Sequence, residues 1–221
     1  MSISNNLTQI KSQLPAHVTL VAVSKTKPVA DLMEAYNAGQ RIFGENKIQE
    51  MTEKWEQMPK DIEWHMIGHV QTNKVKYMAP YVSLIHGVDS LKLLQEINKQ
   101  AAKNNRVIDC LLQIYIAEEE SKFGLDEQEL EEILKQVQHD KDNFKNIRIV
   151  GLMGMATFTK NQNQIEKEFK HLKAIFDKIN ELSIINYQLS ILSMGMSGDY
   201  QLAISCGSTM VRIGSSIFGS R

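Results

Sequence analysis

The chain has 221 residues, 43% hydrophobic and 23% charged, with a formal net charge of −1. That balance fits a globular protein with one sizeable core and gives no concentrated basic excess to draw it to nucleic acid or an anionic membrane. The opening MSISNNLTQIKSQLP has neither the basic and apolar regions of an export signal nor a bilayer-spanning run, so a cytoplasmic location is expected. Cys110 and Cys206 are too few and too distant for a disulfide framework or a multi-cysteine metal site. They read as small buried hydrophobes, and no metal is expected.

In chain order, a short helix is expected at residues 4–14, followed by eight β-rich apolar runs at 18–24, 41–44, 62–68, 82–88, 107–116, 147–153, 187–193 and 209–213. Amphipathic stretches separate them. Ala38-Gly39 after DLMEAYNA reads as a helix stop, and Asp89 with Ser90 before LKLLQEI as an N-cap. The runs CLLQIYI and IRIVGLM are almost continuously apolar, as parallel strands covered on both faces are. Leu130, Ile133, Leu134 and Val137 keep helical spacing, and Ile165, Phe169, Leu172, Phe176 and Ile179 form a second such stripe. Eight β-then-α units predict an α/β fold, a single (β/α)8 TIM barrel over residues 1–221 with an extra N-terminal helix. A doubly wound open sheet is the competing architecture. No exposed apolar stripe is left over after the core is assigned, so a monomer is expected.

In such a barrel the chemistry belongs at the C-terminal ends of the strands. Polar residues gather there: Ser24-Lys25, Glu45-Asn46, Gly68-His69, Asp89, Ser193-Met194-Gly195 and Arg212-Ile213-Gly214-Ser215-Ser216. Strand alternation puts Lys25 on the face of Val21 and Val23. A lysine buried in a barrel mouth loses some of its preference for the charged form, which a Schiff-base nucleophile requires. The plain alternative is a lysine that snorkels to solvent. Gly207-Ser208-Thr209 before the last strand, Gly214-Ser215-Ser216 after it, and the Ser193 to Asp199 segment after strand seven offer hydroxyls and open backbone N–H groups suited to a phosphate. An amine at one end of the chain and an anion cradle at the other point to a phosphorylated aldehyde, with pyridoxal 5'-phosphate the obvious candidate. Arg212, flanked by apolar residues, needs a partner. A structural carboxylate, a ring nitrogen and a phosphate all qualify.

The segments AVSKTKP, FGENKIQE, WHMIGHVQTNK, EEESKFG, GLMGMATF, LSMGMSGDYQLAI and GSTMVRIGSSIFG, spread over nearly the whole chain, closely resemble the YggS-like pyridoxal phosphate homeostasis proteins. That resemblance implies a barrel like the N-terminal domain of alanine racemase, with pyridoxal 5'-phosphate held as a Schiff base on Lys25. It implies Arg212 near the pyridine nitrogen, and the phosphate held around Ser193, Ser197, Gly214 and Ser215 with Ser208 and Thr209 close by. Asn46 would be a polar contact to the cofactor. It implies a non-catalytic carrier serving vitamin B6 and amino and keto acid balance, with cofactor-dependent apo-enzymes as partners. Two departures stand out: Tyr115 replaces a common asparagine, and Val70 a more usual leucine. No partner is visible for His65 or His69, which read as structural or solvent-facing, and Gln71, Asn73, Lys74 and Lys76 read as a mouth rim or an exposed helix face. A racemase would need a second base, which relatives with this barrel take from another domain and subunit, and the sequence shows no such domain after the barrel. A Schiff-base aldolase for a phosphorylated sugar is the third reading.

Overall fold

All eight apolar runs form strands in the computed structural model, which describes residues 2–119, 123–186 and 188–219. The strands are β1 (Thr19–Val23), β2 (Ile42–Glu45), β3 (Glu63–Met66), β4 (Leu84–Val88), β5 (Ile108–Gln113), β6 (Ile147–Met153), β7 (Ile191–Met196) and β8 (Met210–Ile213). All neighbours pair in parallel in the order β1 to β8, and β8 closes on β1 with Val21 opposite Arg212. The helices are α1 (Ile3–Gln13), α2 (Val29–Asn37), α3 (Ile48–Gln57), α4 (Val75–Met78), α5 (Leu91–Lys103), α6 (Glu127–His139), α7 (Gln162–Leu182), α8 (Tyr200–Ser205) and α9 (Ser215–Phe218). The closed parallel barrel replaces the open-sheet alternative.

Local chemistry starts and stops these helices where physical rules place the boundaries. The Ser90 hydroxyl accepts the Leu93 N–H at the head of α5, and Asp126 with Glu129 forms a reciprocal capping box on α6. Both helical stripes bury their apolar faces on the sheet, Leu130, Ile133 and Leu134 from α6 and Ile165 to Ile179 from α7.

The core divides into two by strand alternation. Outward-facing strand residues such as Ala22, Phe43, Ile85 and Leu112 join the helices in one large cluster. Inward-facing Val21, Leu84, Leu111, Met153 and Met210 form a separate apolar plug inside the barrel. Two residues further along β4 and β8 the plug gives way to polar groups, because His86 and Arg212 follow Leu84 and Met210 on the same face.

Most strands shift from the expected bounds by one or two residues, and β5 and β7 differ most. The run at 107–116 leaves the sheet at Gln113, after which Ile114 makes only an isolated bridge to Leu125. The expected start of strand seven at Tyr187 lies outside the described residues, as do residues 120–122 of the EEESKFG motif and the final two residues. The far end of that strand runs on to Met196, three residues past the expected stop at Ser193. Gly195, at φ +98°, looks like a turn in the sequence but is part of the strand.

Candidate functional site

A cavity of about 450 Å³ opens at the C-terminal mouth, lined by Lys25, Asn46, Ser197, Arg212, Gly214 and Ser215 among others. Six of the nine sequence-predicted site residues therefore meet in one place, although they come from β8 itself and from the segments after β1, β2, β7 and β8.

Lys25 is half-buried, two residues past the end of β1, on the inner face shared with Val21 and Val23. Its two neighbours are pinned from behind. The Ser24 hydroxyl donates to Glu45 Oε1 at 2.6 Å, and Lys54 Nζ donates to the Ser24 carbonyl at 2.8 Å. The same ammonium donates to Glu45 Oε1 and to Glu50 Oε1, each at 2.7 Å. Glu50 Oε1 accepts the Thr26 backbone N–H at 2.6 Å, and Thr26 holds a left-handed φ of +64°. Lys54 and Glu45 are almost fully buried, and burial pushes the Glu45 carboxyl up despite the ammonium beside it. On the cavity side, Lys27 Nζ donates to the Phe218 carbonyl at 3.0 Å, tying the β1 loop to the end of α9.

The loops after β7 and β8 are joined directly, since the Gly214 N–H donates to Ser197 Oγ at 3.1 Å. Gly214 lies so close to β1 that an added Cβ would sit 3.0 Å from the Val23 carbonyl oxygen and 3.2 Å from Val23 Cβ. A residue without a side chain lets the loop close over β1, and the Gly214 carbonyl accepts the Ile217 and Phe218 N–H groups to start α9. Asp199 is the one carboxylate among the described lining residues. Its Oδ1 accepts the Met196 N–H at 2.6 Å, and burial raises its pKa.

Arg212 is buried at the cavity floor. Its partners are neutral oxygens: Nη1 donates to the Ser193 carbonyl at 2.9 Å and to Ser193 Oγ at 2.6 Å, and Nη2 donates to the Gly154 carbonyl at 3.1 Å. Burial draws its pKa down to about 10, against the pull of Asp199, so the guanidinium stays charged at neutral pH.

The remaining predicted residues fall elsewhere. Ser193, expected in a phosphate loop, lies inside the barrel within β7, because that strand is longer than its apolar run. Ser208 and Thr209 precede β8 and so sit at the opposite, N-terminal end of the barrel. There Ser208 Oγ lies within hydrogen-bond distance of the carbonyls of Leu192, Met194 and Met210, for which its one O–H is the donor, and Thr209 Oγ1 accepts the Leu192 N–H. Their hydroxyls stitch β7 to β8, and neither lines the cavity. Tyr115 is exposed and donates to the Glu119 carbonyl at 2.9 Å, while Val70 packs into the core. His69 pairs with Asp89 at 3.2 Å on the exposed rim, and Gln71, Asn73 and Lys76 lie exposed on the turn and helix beyond it.

One participant escapes sequence reading altogether. His86, fully buried within β4, links His65 to Ser193 beneath the cavity. Its only sequence signal is a histidine of inward parity in the run LIHGV.

The donor set suits an anionic ligand with a carbonyl. An amine, a guanidinium, hydroxyls and backbone N–H groups surround a space with one engaged carboxylate. Residues 1–221 match the family described as alanine racemase, N-terminal domain. A pyridoxal phosphate homeostasis protein of Haemophilus influenzae is 36% identical over 100% of this chain and 97% of its own length. PipY of Synechococcus elongatus, 33% identical, has been solved without PLP and with PLP bound, at TM-scores of 0.92 and 0.90, over 99% of this chain and 100% of PipY in each case. An alanine racemase from E. faecalis shares the fold at 17% identity and a TM-score of 0.79, over 99% of this chain and 58% of that one.

Proposed function

Because the chain belongs to the pyridoxal phosphate homeostasis proteins, within the alanine racemase N-terminal domain family, we propose that it binds pyridoxal 5'-phosphate and carries or buffers it for vitamin B6 and amino and keto acid homeostasis. The observation that carries this reading is the meeting of Lys25 with Arg212, Gly214 and Ser215 in one cavity. Bound pyridoxal phosphate brings an electrophilic aldehyde, a pyridine ring and a phosphate tail.

Lys25 Nζ holds the aldehyde carbon as a Schiff base. Ser197, Ser215 and the backbone N–H groups after Gly214 hold the phosphate. Asn46 supplies a polar contact at the edge of the ring, and Arg212 faces the ring nitrogen. A permanently charged guanidinium keeps that nitrogen unprotonated, which weakens the ring as an electron sink and favours carriage over carbanion chemistry. The other titratable groups of the cavity are structurally engaged, Lys27 with the Phe218 carbonyl and Asp199 with the Met196 N–H, which supports a carrier rather than a racemase with a base on each face.

In this reading residues 1–221 act as one cofactor-binding barrel, a cytoplasmic monomer that hands pyridoxal phosphate to dependent apo-enzymes. No helix among the described residues is long and apolar enough to cross a membrane.

Protein incubated with pyridoxal phosphate should turn yellow, lose that colour on borohydride reduction, and carry a pyridoxyl adduct on Lys25 by peptide mass spectrometry. Lys25→Ala should lose the adduct yet retain saturable binding, because the phosphate keeps its charge-assisted hydrogen bonds, each worth about 1.5–3 kcal/mol. Loaded protein should also activate an apo-enzyme without racemising amino acids. Colourless protein that takes up no cofactor would overturn the proposal.

A further inference from the structure

Beneath the cavity, polar side chains line up inside the barrel from β8 to β3. Arg212 Nη1 reaches Ser193 Oγ at 2.6 Å, Ser193 Oγ lies 3.1 Å from His86 Nδ1, and His86 Nε2 lies 3.1 Å from His65 Nδ1. All four side chains are buried, among neighbours from β3, β4, β7 and β8.

The hydrogens in this column have one assignment that pairs a donor with an acceptor at each side-chain contact and gives the Ser193 hydroxyl hydrogen an acceptor. A guanidinium can only donate, so Ser193 Oγ accepts from Arg212. If His86 Nδ1–H also donated to Ser193, the buried hydroxyl hydrogen would be left without an acceptor among the described contacts, at a penalty of about 1–3 kcal/mol. The Ser193 O–H therefore donates to a bare His86 Nδ1, and His86 Nε2–H donates to a bare His65 Nδ1. A single hydroxyl proton thus sets the tautomer of two histidines. Burial favours the neutral form of both rings.

The column also partitions the arginine. Bonds to the Ser193 carbonyl, Ser193 Oγ and the Gly154 carbonyl take three of its five N–H donors and commit Nη1 entirely. The Nε–H and one Nη2–H remain for the cavity. We propose that Ser193, His86 and His65 are positioning residues, a one-way hydrogen-bond column of neutral acceptors that fixes which edge of the Arg212 guanidinium faces the ligand. A carboxylate in the same place would anchor the arginine while cancelling its charge, whereas the column anchors it and leaves the charge whole. The role toward the ligand rests on the pyridoxal phosphate reading, but the hydrogen-bond direction does not.

Nitrogen-15 NMR of ligand-free protein labelled on histidine should show His86 and His65 neutral, each bare at Nδ1 and protonated at Nε2. His86 protonated at Nδ1 would overturn the column whether or not cofactor binds. Ser193→Ala should release the His86 tautomer preference and, with unchanged circular dichroism, weaken pyridoxal phosphate binding about tenfold and shift the absorbance of the bound cofactor. Ser193→Thr, which keeps the hydroxyl, should restore both. A Ser193→Ala protein that binds cofactor with wild-type affinity and spectrum would remove the positioning role, while loss of the Lys25 adduct in wild-type protein would indict the cofactor reading instead.

Discussion

At the level of single residues, the reach of Lys25 into the cavity depends on groups that never touch a ligand. Lys54 is the hub, since its ammonium joins Glu45, Glu50 and the Ser24 carbonyl behind the loop. Replacing Lys54 with Met should destabilise the fold by about 3–5 kcal/mol, because Glu45 is then a buried charge without its partner. The loss should be larger at pH 8 than at pH 5. Glu45 already has a raised pKa, and without Lys54 the folded state binds its proton more tightly still, so stability falls as pH rises through that value. Urea midpoints at the two pH values check this, and adding Glu45→Gln should return much of the loss. Equal midpoints for wild type and Lys54→Met would mean that the buried pair contributes nothing.

Among the elements, the crossing from β7 to α8 holds the cavity floor together. Gly195 combines a left-handed φ of +98° with a site where an added Cβ would meet Ala203 Cβ at 2.6 Å and Tyr200 Cα at 3.0 Å. Gly195→Ala should cost about 1–3 kcal/mol from backbone strain alone, with more from the displaced helix, read as a lowered thermal midpoint. The same strand shows what a sequence can and cannot reveal. The run at 147–153 matches β6 from end to end because apolar burial on both faces writes itself into consecutive residues. In β7 Ser193 and Gly195 interrupt the apolar residues while the strand still pairs, so the β pattern stops at Ser193 although the strand does not. Lys25 was legible because parity is local, counted from Val21 and Val23. His86 was not, since its partners come from β3 and β7 and no spacing along β4 reports contact across a barrel. Ser208 and Thr209 mislead for a related reason. Small hydroxyl residues flank both ends of a strand, and chain direction alone decides which end faces the mouth.

The molecule as a whole should respond to acid through its interior. Burial draws His65 down to about 3 and His86 well below its usual value, so the unfolded chain binds more protons than the folded one between about pH 3 and 6.5. Stability should therefore fall as the pH drops through that window, by up to about 1.4 kcal/mol per pH unit for each histidine. Glu45 and Asp199, both raised by burial, act in the opposite sense just above their ordinary values and soften the slope. Thermal midpoints measured on ligand-free protein from pH 7 to 4 should decline steadily, and a flat profile would show that water reaches the two rings.

Barrel closure also orders events in time. β1 pairs with β8, so the lysine just past β1 and the arginine of β8 meet in one cavity although the ribosome makes them nearly a whole chain apart. A nascent polypeptide halted before β8 emerges would display Lys25 but lack Arg212, Gly214 and Ser215, and with them, on the proposed reading, the contact to the ring nitrogen and part of the phosphate cradle. On that reading, capture of the vitamin would belong to finished copies alone, and colour in a translation mixture would count completed barrels.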